Sequence, residues 1–272
     1  MNRISSAFAQ RDKRSLLIPF LTAGDPTYDL SLQLFDSVLQ AGADMVEIGV
    51  PYSDPLADGP VIQAASLRSL RAGFTLPMAF EMTTALRQRH PDKPLILFTY
   101  MNPVLQYTPQ RFLTDAAVAG ADGIIIPDLP LEESRPFRRL ARERGLASIP
   151  LVTPVTPPHR LASICEEADG FIYCVAALGV TGMRASVSER VESMVESVKS
   201  LTDLPVAVGF GVSSGEQAKA LSSYADGVIV GSAIIRRLEE VLQRSTENAH
   251  VPEEIIRQEV IQFTETLTAA LQ

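Results

Sequence analysis

The chain has only two cysteines in 272 residues, no apolar run approaching a membrane span, and no surplus of basic residues. Cys165 and Cys174 form no Cys-x-x-Cys pair and have no histidine at ligand spacing, so they read as buried thiols rather than a metal site or a disulfide. A spanning helix needs about 20 apolar residues in succession, and the opening MNRISSAFAQRDKR lacks the apolar centre of a signal peptide. A formal charge of −8 disfavours a nucleic-acid surface, and the one basic cluster, Arg11-Asp12-Lys13-Arg14, reads as a solvated N-terminal face. A cytoplasmic protein is expected, with no metal, no nucleic-acid partner and no membrane. Its 46% hydrophobic content can fill the core of one domain covering residues 1–272.

One phrase recurs along the chain. Gly42-Ala43-Asp44, Gly120-Ala121-Asp122-Gly123, Ala168-Asp169-Gly170 and Ala225-Asp226-Gly227 each follow a helix-like stretch and open a short apolar run. That is the pattern of a turn from helix into a strand buried on both faces. Four further runs, Ser15 to Thr22, Leu95 to Thr99, Ala147 to Val152 and Pro205 to Gly209, lie between them, so eight strands alternate with helices. The alternation predicts right-handed parallel crossovers and a (β/α)8 TIM barrel. No G-x-G-x-x-G follows the first strand, and no Gly-, Ser- or charge-rich linker divides the chain. Extra helices are expected at the N-terminus, after the second strand (from Pro60 to Arg71 and from Met78 to Arg89) and at the C-terminus.

In such a barrel the C-terminal ends of the strands carry the chemistry. Glu47 stands inside the second apolar run, where a carboxylate is costly unless paired or functional. Asp58 follows in the loop EIGVPYSDPLADGP, either facing the same ligand or capping the helix that Pro60 begins; Asp54, before Pro55, either serves function or initiates a turn. Gly209-Phe210-Gly211, Gly231-Ser232 and Gly179-Val180-Thr181-Gly182 leave the seventh, eighth and sixth strands, where backbone amides and a helix N-terminus can close on a phosphate. Phe20, Phe98, Tyr100 and Tyr173 read as core or as walls for a flat apolar ligand, and His90, His159 and His250 as surface residues.

The string EIGVPYSDPLADGPVIQ, with LTAGDPT before it and TYMNPVLQY, PDLPLEES, GVTGMR, GFGVSS and GSAI after it in that order, resembles the tryptophan synthase alpha chain from about Leu16 to Ile235. The resemblance implies retro-aldol cleavage of indole-3-glycerol phosphate to indole and glyceraldehyde 3-phosphate. It places the catalytic acid/base on Glu47 and the second carboxylate on Asp58. Indole contacts fall on Phe20, Phe98, Tyr100, Tyr173 and Thr181, phosphate contacts on Gly182, Gly211, Gly231 and Ser232, and the partner interface on Pro51, Asp54, Asn102 and Pro130. It also implies a beta chain as partner in an alpha2-beta2 heterotetramer, with pyridoxal phosphate in the beta chain and no cofactor in this one. The sequence departs from the family at Ala176, where many members carry Ser. The alternatives left open are a free-standing indole-3-glycerol phosphate lyase, a catalytically silent activating subunit, and a phosphate-sugar isomerase on the same barrel.

Overall fold

Nearly every residue of the apolar runs is buried, and the runs form strands β1 (Leu16–Thr22), β2 (Val46–Gly49), β3 (Leu95–Phe98), β4 (Gly123–Ile125), β5 (Ala147–Ile149), β6 (Leu151–Val152), β7 (Ile172–Val175), β8 (Val206–Gly209) and β9 (Gly227–Val230). The computed structural model describes residues 2–11, 14–176, 184–209, 211–248 and 252–272. Every strand pair is parallel, in the order β5-β4-β3-β2-β1-β9-β8-β7-β6. The two ends of that order are consecutive in the chain, so the sheet rolls into a barrel whose seam lies at Pro150. The run Ala147 to Val152, expected as one strand, is split there because proline has no N–H to give the ladder. Its carbonyl still accepts from Tyr173 N–H at 3.0 Å.

Twelve helices surround the barrel among the described residues. Those that follow strands are α2 (Tyr28–Gln40), α5 (Met101–Tyr107), α6 (Pro109–Ala119), α7 (Leu131–Arg142), α8 (Pro158–Glu167), α9 (Arg184–Lys199), α10 (Gly215–Leu221) and α11 (Ser232–Asn248). The additions are α1 (Arg3–Ala9), the pair α3 (Pro60–Arg71) and α4 (Leu76–Arg89) after β2, and α12 (Glu253–Leu271), which packs on α2, α10 and α11. Proline begins α3 and α6, where a missing N–H costs nothing, and Gly120 ends α6 in the left-handed region at φ +91°. No described helix is long and apolar enough to cross a membrane.

The recurring aspartates hold the N-terminal end of the barrel. Asp44 N–H donates to Leu17 O at 3.0 Å while its carboxylate accepts Leu17 N–H at 2.9 Å. Asp122 does the same with Leu95, at 2.8 Å both ways, and Asp226 with Val206, again at 2.8 Å both ways. Each carboxylate therefore supplies the acceptor for an amide at the start of a neighbouring strand. Each also takes cations: Arg14 on Asp44, Arg3 and Arg87 on Asp122, Arg11 and Lys199 on Asp226. Arg11 and Arg14 are thus ion-paired against strand starts rather than standing on a solvated face; Asp12 and Lys13 lie outside the described residues. Helix α1 covers the same end with Ile4 and Phe8, the latter 5.7 Å from Phe171 between ring centroids. Both thiols are buried and free. His159 is exposed, His90 lies partly buried with Nε2 2.7 Å from Asp36, and His250 lies outside the described residues.

Removing a clamp leaves a buried amide and two cations unanswered. Asp122→Ala is expected to lower the unfolding free energy by about 3 kcal/mol, read as a fall in urea midpoint at unchanged m. Asp169→Ala, whose carboxylate takes Arg142 on a more exposed edge, is expected to cost under about 1 kcal/mol.

Candidate active site

Strand register brings the candidate groups together at the C-terminal end. Phe20 of β1 pairs with Glu47 of β2, and Gly49 of β2 with Phe98 of β3. A Cβ on Gly49 would stand 2.4 Å from the Phe20 ring, so glycine there lets Phe20 and Phe98 meet across the strand between them. Their rings lie edge to face, 5.4 Å between centroids at 81°. On the opposite wall Gly209 of β8 leaves room for the Tyr173 phenol, whose oxygen would be 2.5 Å from a Cβ at that position.

These residues line a cavity of about 210 Å³ with Glu47, Asp58, Val61, Ile62, Gly211, Val212, Ile229, Gly231, Ser232 and Arg236. Glu47 is 0% exposed, and neither of its carboxyl oxygens has a hydrogen-bond partner among the described residues. Burial alone raises its pKa well above the ordinary carboxylate range, which favours the protonated acid. Burial, followed by the nearby Glu47 and Asp58 charges, also raises the Tyr173 phenol well above its usual value, so that group keeps its proton.

Asp58 differs from Glu47 in its surroundings. Gly59 is the N-cap residue of α3 and no side chain among the described residues caps that helix, so Asp58 is not its cap. Instead the Asp58 carboxylate accepts a hydrogen bond from the Tyr100 hydroxyl, which itself accepts Ala57 N–H at 3.1 Å. Burial pushes the Asp58 pKa up to about 6 against the lowering effect of that hydrogen bond. Burial thus favours the protonated form of Glu47, while Asp58 ionises above about pH 6.

Of the expected indole contacts, Phe20, Phe98 and Tyr173 line the cavity, whereas Tyr100 stands behind Asp58 and holds its loop. Gly211, Gly231 and Ser232 line it; Thr181 and Gly182 lie outside the described residues. Ala176 is buried and donates its N–H to Gly209 O at 2.9 Å. Pro51 is buried, while Asp54, Asn102 and Pro130 are exposed, with Asn102 donating to Tyr52 Oη at 3.1 Å. Sequence reasoning did not single out Val61, Ile62, Val212, Ile229 or Arg236. The signal for Arg236 was its place one helical turn beyond Ser232 in a helix opening at the cavity.

Fold and mouth together define a parallel α/β barrel with two carboxyl groups at a largely apolar cavity at the C-terminal ends of its strands. A family model described as the tryptophan synthase alpha chain matches residues 7–265. The tryptophan synthase alpha chain of Geobacillus kaustophilus (strain HTA426) is 48% identical over 229 residues, covering 84% of this chain and 85% of its own length. That of Gluconobacter oxydans (strain 621H) is 43% identical over 260 residues, covering 95% and 96%. Among solved structures, tryptophan synthase subunit alpha from Legionella pneumophila superposes with a TM-score of 0.90 at 33% identity, covering 100% of this chain and 98% of that one. A chain of the aminoacrylate-bound tryptophan synthase from M. tuberculosis gives 0.86 at 32% identity, covering 100% of each. The chain belongs to the tryptophan synthase alpha chain family, whose known reaction is cleavage of indole-3-glycerol phosphate.

A buried acid with a raised pKa makes the folded state bind its proton more tightly than the unfolded chain does. Between the ordinary value of 4.5 and the folded value, stability therefore falls as pH rises. Glu47→Gln, which cannot ionise, is expected to gain about 1–2 kcal/mol, or roughly 2–8 °C in Tm. The gain should be larger at about pH 8 than at about pH 5 in calorimetric melts.

Proposed function

We propose that this chain cleaves indole-3-glycerol phosphate with Glu47 as acid and then base and Asp58 as the group that answers the indole N–H. The observation that carries the reading is the fully buried Glu47 carboxyl, without a hydrogen-bond partner among the described residues, at an aromatic-walled cavity, where burial favours its protonated form. Glu47 delivers its proton to C3 of the indole, and positive charge develops at the ring nitrogen. The Asp58 carboxylate, ionised above about pH 6, accepts that N–H and neutralises the charge. Glu47, now a carboxylate, removes the proton from the hydroxyl on the adjacent side-chain carbon. As the C–O bond becomes the aldehyde, the electron pair of the C–C bond returns to the ring and Asp58 gives back the N–H proton. Glu47 ends as it began, so one proton has moved from hydroxyl to C3.

Phe20, Phe98 and Tyr173 enclose the flat ring, while the amides of Gly211 after β8 and of Gly231 and Ser232 at the start of α11 receive the phosphate. The partner reading is a beta chain carrying pyridoxal phosphate, in an alpha2-beta2 assembly in the cytoplasm. Asp54, Asn102 and Pro130 are exposed near the mouth, and Leu56, 95% exposed in the Asp54 loop, is an apolar group that docking would cover. Pro51 then supports that loop from beneath.

Glu47→Gln is expected to bind the substrate and lose turnover by at least about a thousandfold, within the usual range for removing a general acid-base group; turnover near that of the native chain rejects the assignment. The acid limb of kcat/KM is expected near pH 6 and should move to higher pH in Tyr100→Phe, which removes the hydrogen bond that lowers the Asp58 pKa. Indole release from indole-3-glycerol phosphate, measured with and without a tryptophan synthase beta chain, tests the whole reading. A sharp rise on adding the partner supports it, whereas brisk release indifferent to the partner assigns a free-standing lyase. No release from folded protein overturns it.

A further inference from the structure

We propose that Arg236 is the cation that binds the substrate's phosphate at the mouth, an inference that rests on the phosphate being received at the start of α11. The cavity needs such a group. Its walls carry two acid side chains, the chain as a whole carries −8, and the ligand brings a phosphate of nearly two negative charges. Among the described residues lining the cavity, Arg236 is the only cation.

Placement and partnership both point the same way. Ser232 opens α11 and Arg236 lies four residues on, so the two share one face of the helix, one turn apart, and both line the cavity. Among the described residues Arg236 forms no ion pair, and the acids that would ordinarily take it are engaged elsewhere. Glu239, three residues on, is held by Arg68 at 3.2 Å, and Glu240, four residues on, lies 3.9 Å from Arg237. Arg237 itself lies over the Phe263 ring, 5.3 Å from its centroid. Neighbouring arginines are thus committed to the fold, and Arg236 is left facing the cavity with its donors available. A guanidinium presents parallel N–H donors that match two phosphate oxygens, which a single ammonium does not. Backbone amides fix where the phosphate sits, and Arg236 supplies the charge that discriminates a phosphorylated ligand from a neutral one.

The test uses the full chain and its Arg236→Gln, Arg236→Lys and Arg237→Gln variants. Steady-state indole release gives kcat and KM for indole-3-glycerol phosphate, and calorimetry gives Kd for glycerol 3-phosphate at low and high salt. For Arg236→Gln, KM and the glycerol 3-phosphate Kd are expected to rise about tenfold or more, with most of the loss in KM rather than kcat. The salt dependence of Kd should weaken. Arg236→Lys is expected to lie between, and Arg237→Gln to match the native chain. Values for Arg236→Gln within twofold of the native chain overturn the proposal, as does an equal effect from Arg237→Gln. If the native chain binds glycerol 3-phosphate but releases no indole, the cleavage reading fails and the Kd series alone decides Arg236. If it binds no glycerol 3-phosphate, the Arg236 proposal is overturned even where indole is released.

Discussion

A carboxyl group with no exposure and no hydrogen-bond partner is the constraint around which this barrel is organised. Glu47 sits on a central strand between Phe20 and Ile96, fully buried and with no donor to it among the described residues. Such a group lowers stability once it ionises, and the surrounding fold tolerates it because it stays protonated. Everything near it keeps the site dry: two phenylalanine rings in contact across Gly49, and a tyrosine fitted over Gly209. A polar residue in place of either ring would hydrate the acid and return it toward an ordinary carboxylate, removing the proton that the chemistry uses.

The opposite end of the barrel has the reverse character. Asp44, Asp122 and Asp226 are also largely buried carboxylates, yet each is answered by a strand amide and at least one cation. The same functional group thus serves structure where partners surround it and chemistry where they are withheld. The division matches the general rule that a barrel's N-terminal face carries stability and its C-terminal face function.

The eight-fold alternation, the α3 and α6 starts at proline and the glycine end of α6 were legible because each is a local pattern. Glu47 was legible for the same reason, an acid in a run otherwise apolar. What stayed hidden depends on contacts far apart in sequence. The role of the recurring aspartates could be seen only once Asp122 met Leu95, 27 residues away, and Asp226 met Val206. Arg11 and Arg14 read as a solvated cluster because their acceptors lie on other turns of the barrel. The split at Pro150 was visible as a proline but not as the seam, since the seam is a property of the closed sheet. Asp58 remained ambiguous in sequence because its hydrogen-bond donor, Tyr100, lies 42 positions away on the far side of α3 and α4.

That ambiguity has a mechanical resolution. A loop carrying Asp58 must be stiff enough to hold the carboxylate against an aromatic ring, and prolines alone do not fix where a loop points. Tyr100 holds it from one side, by accepting Ala57 N–H and donating to Asp58. Helix α3 holds it from the other, and its last turns are fastened twice: Ser69 Oγ donates to Ala23 O at 2.6 Å, and Arg68 meets Asp25 at 2.8 and 2.9 Å. Through Glu239 the same Arg68 reaches α11, the helix whose first turn faces the cavity. The segment after β2 therefore spans from Asp58 to the helix whose first turn faces the cavity. In the proposed cleavage its rigidity would set the distance between the two ends of the ligand, so that a ring placed against Asp58 and Glu47 would carry its phosphate to the start of α11.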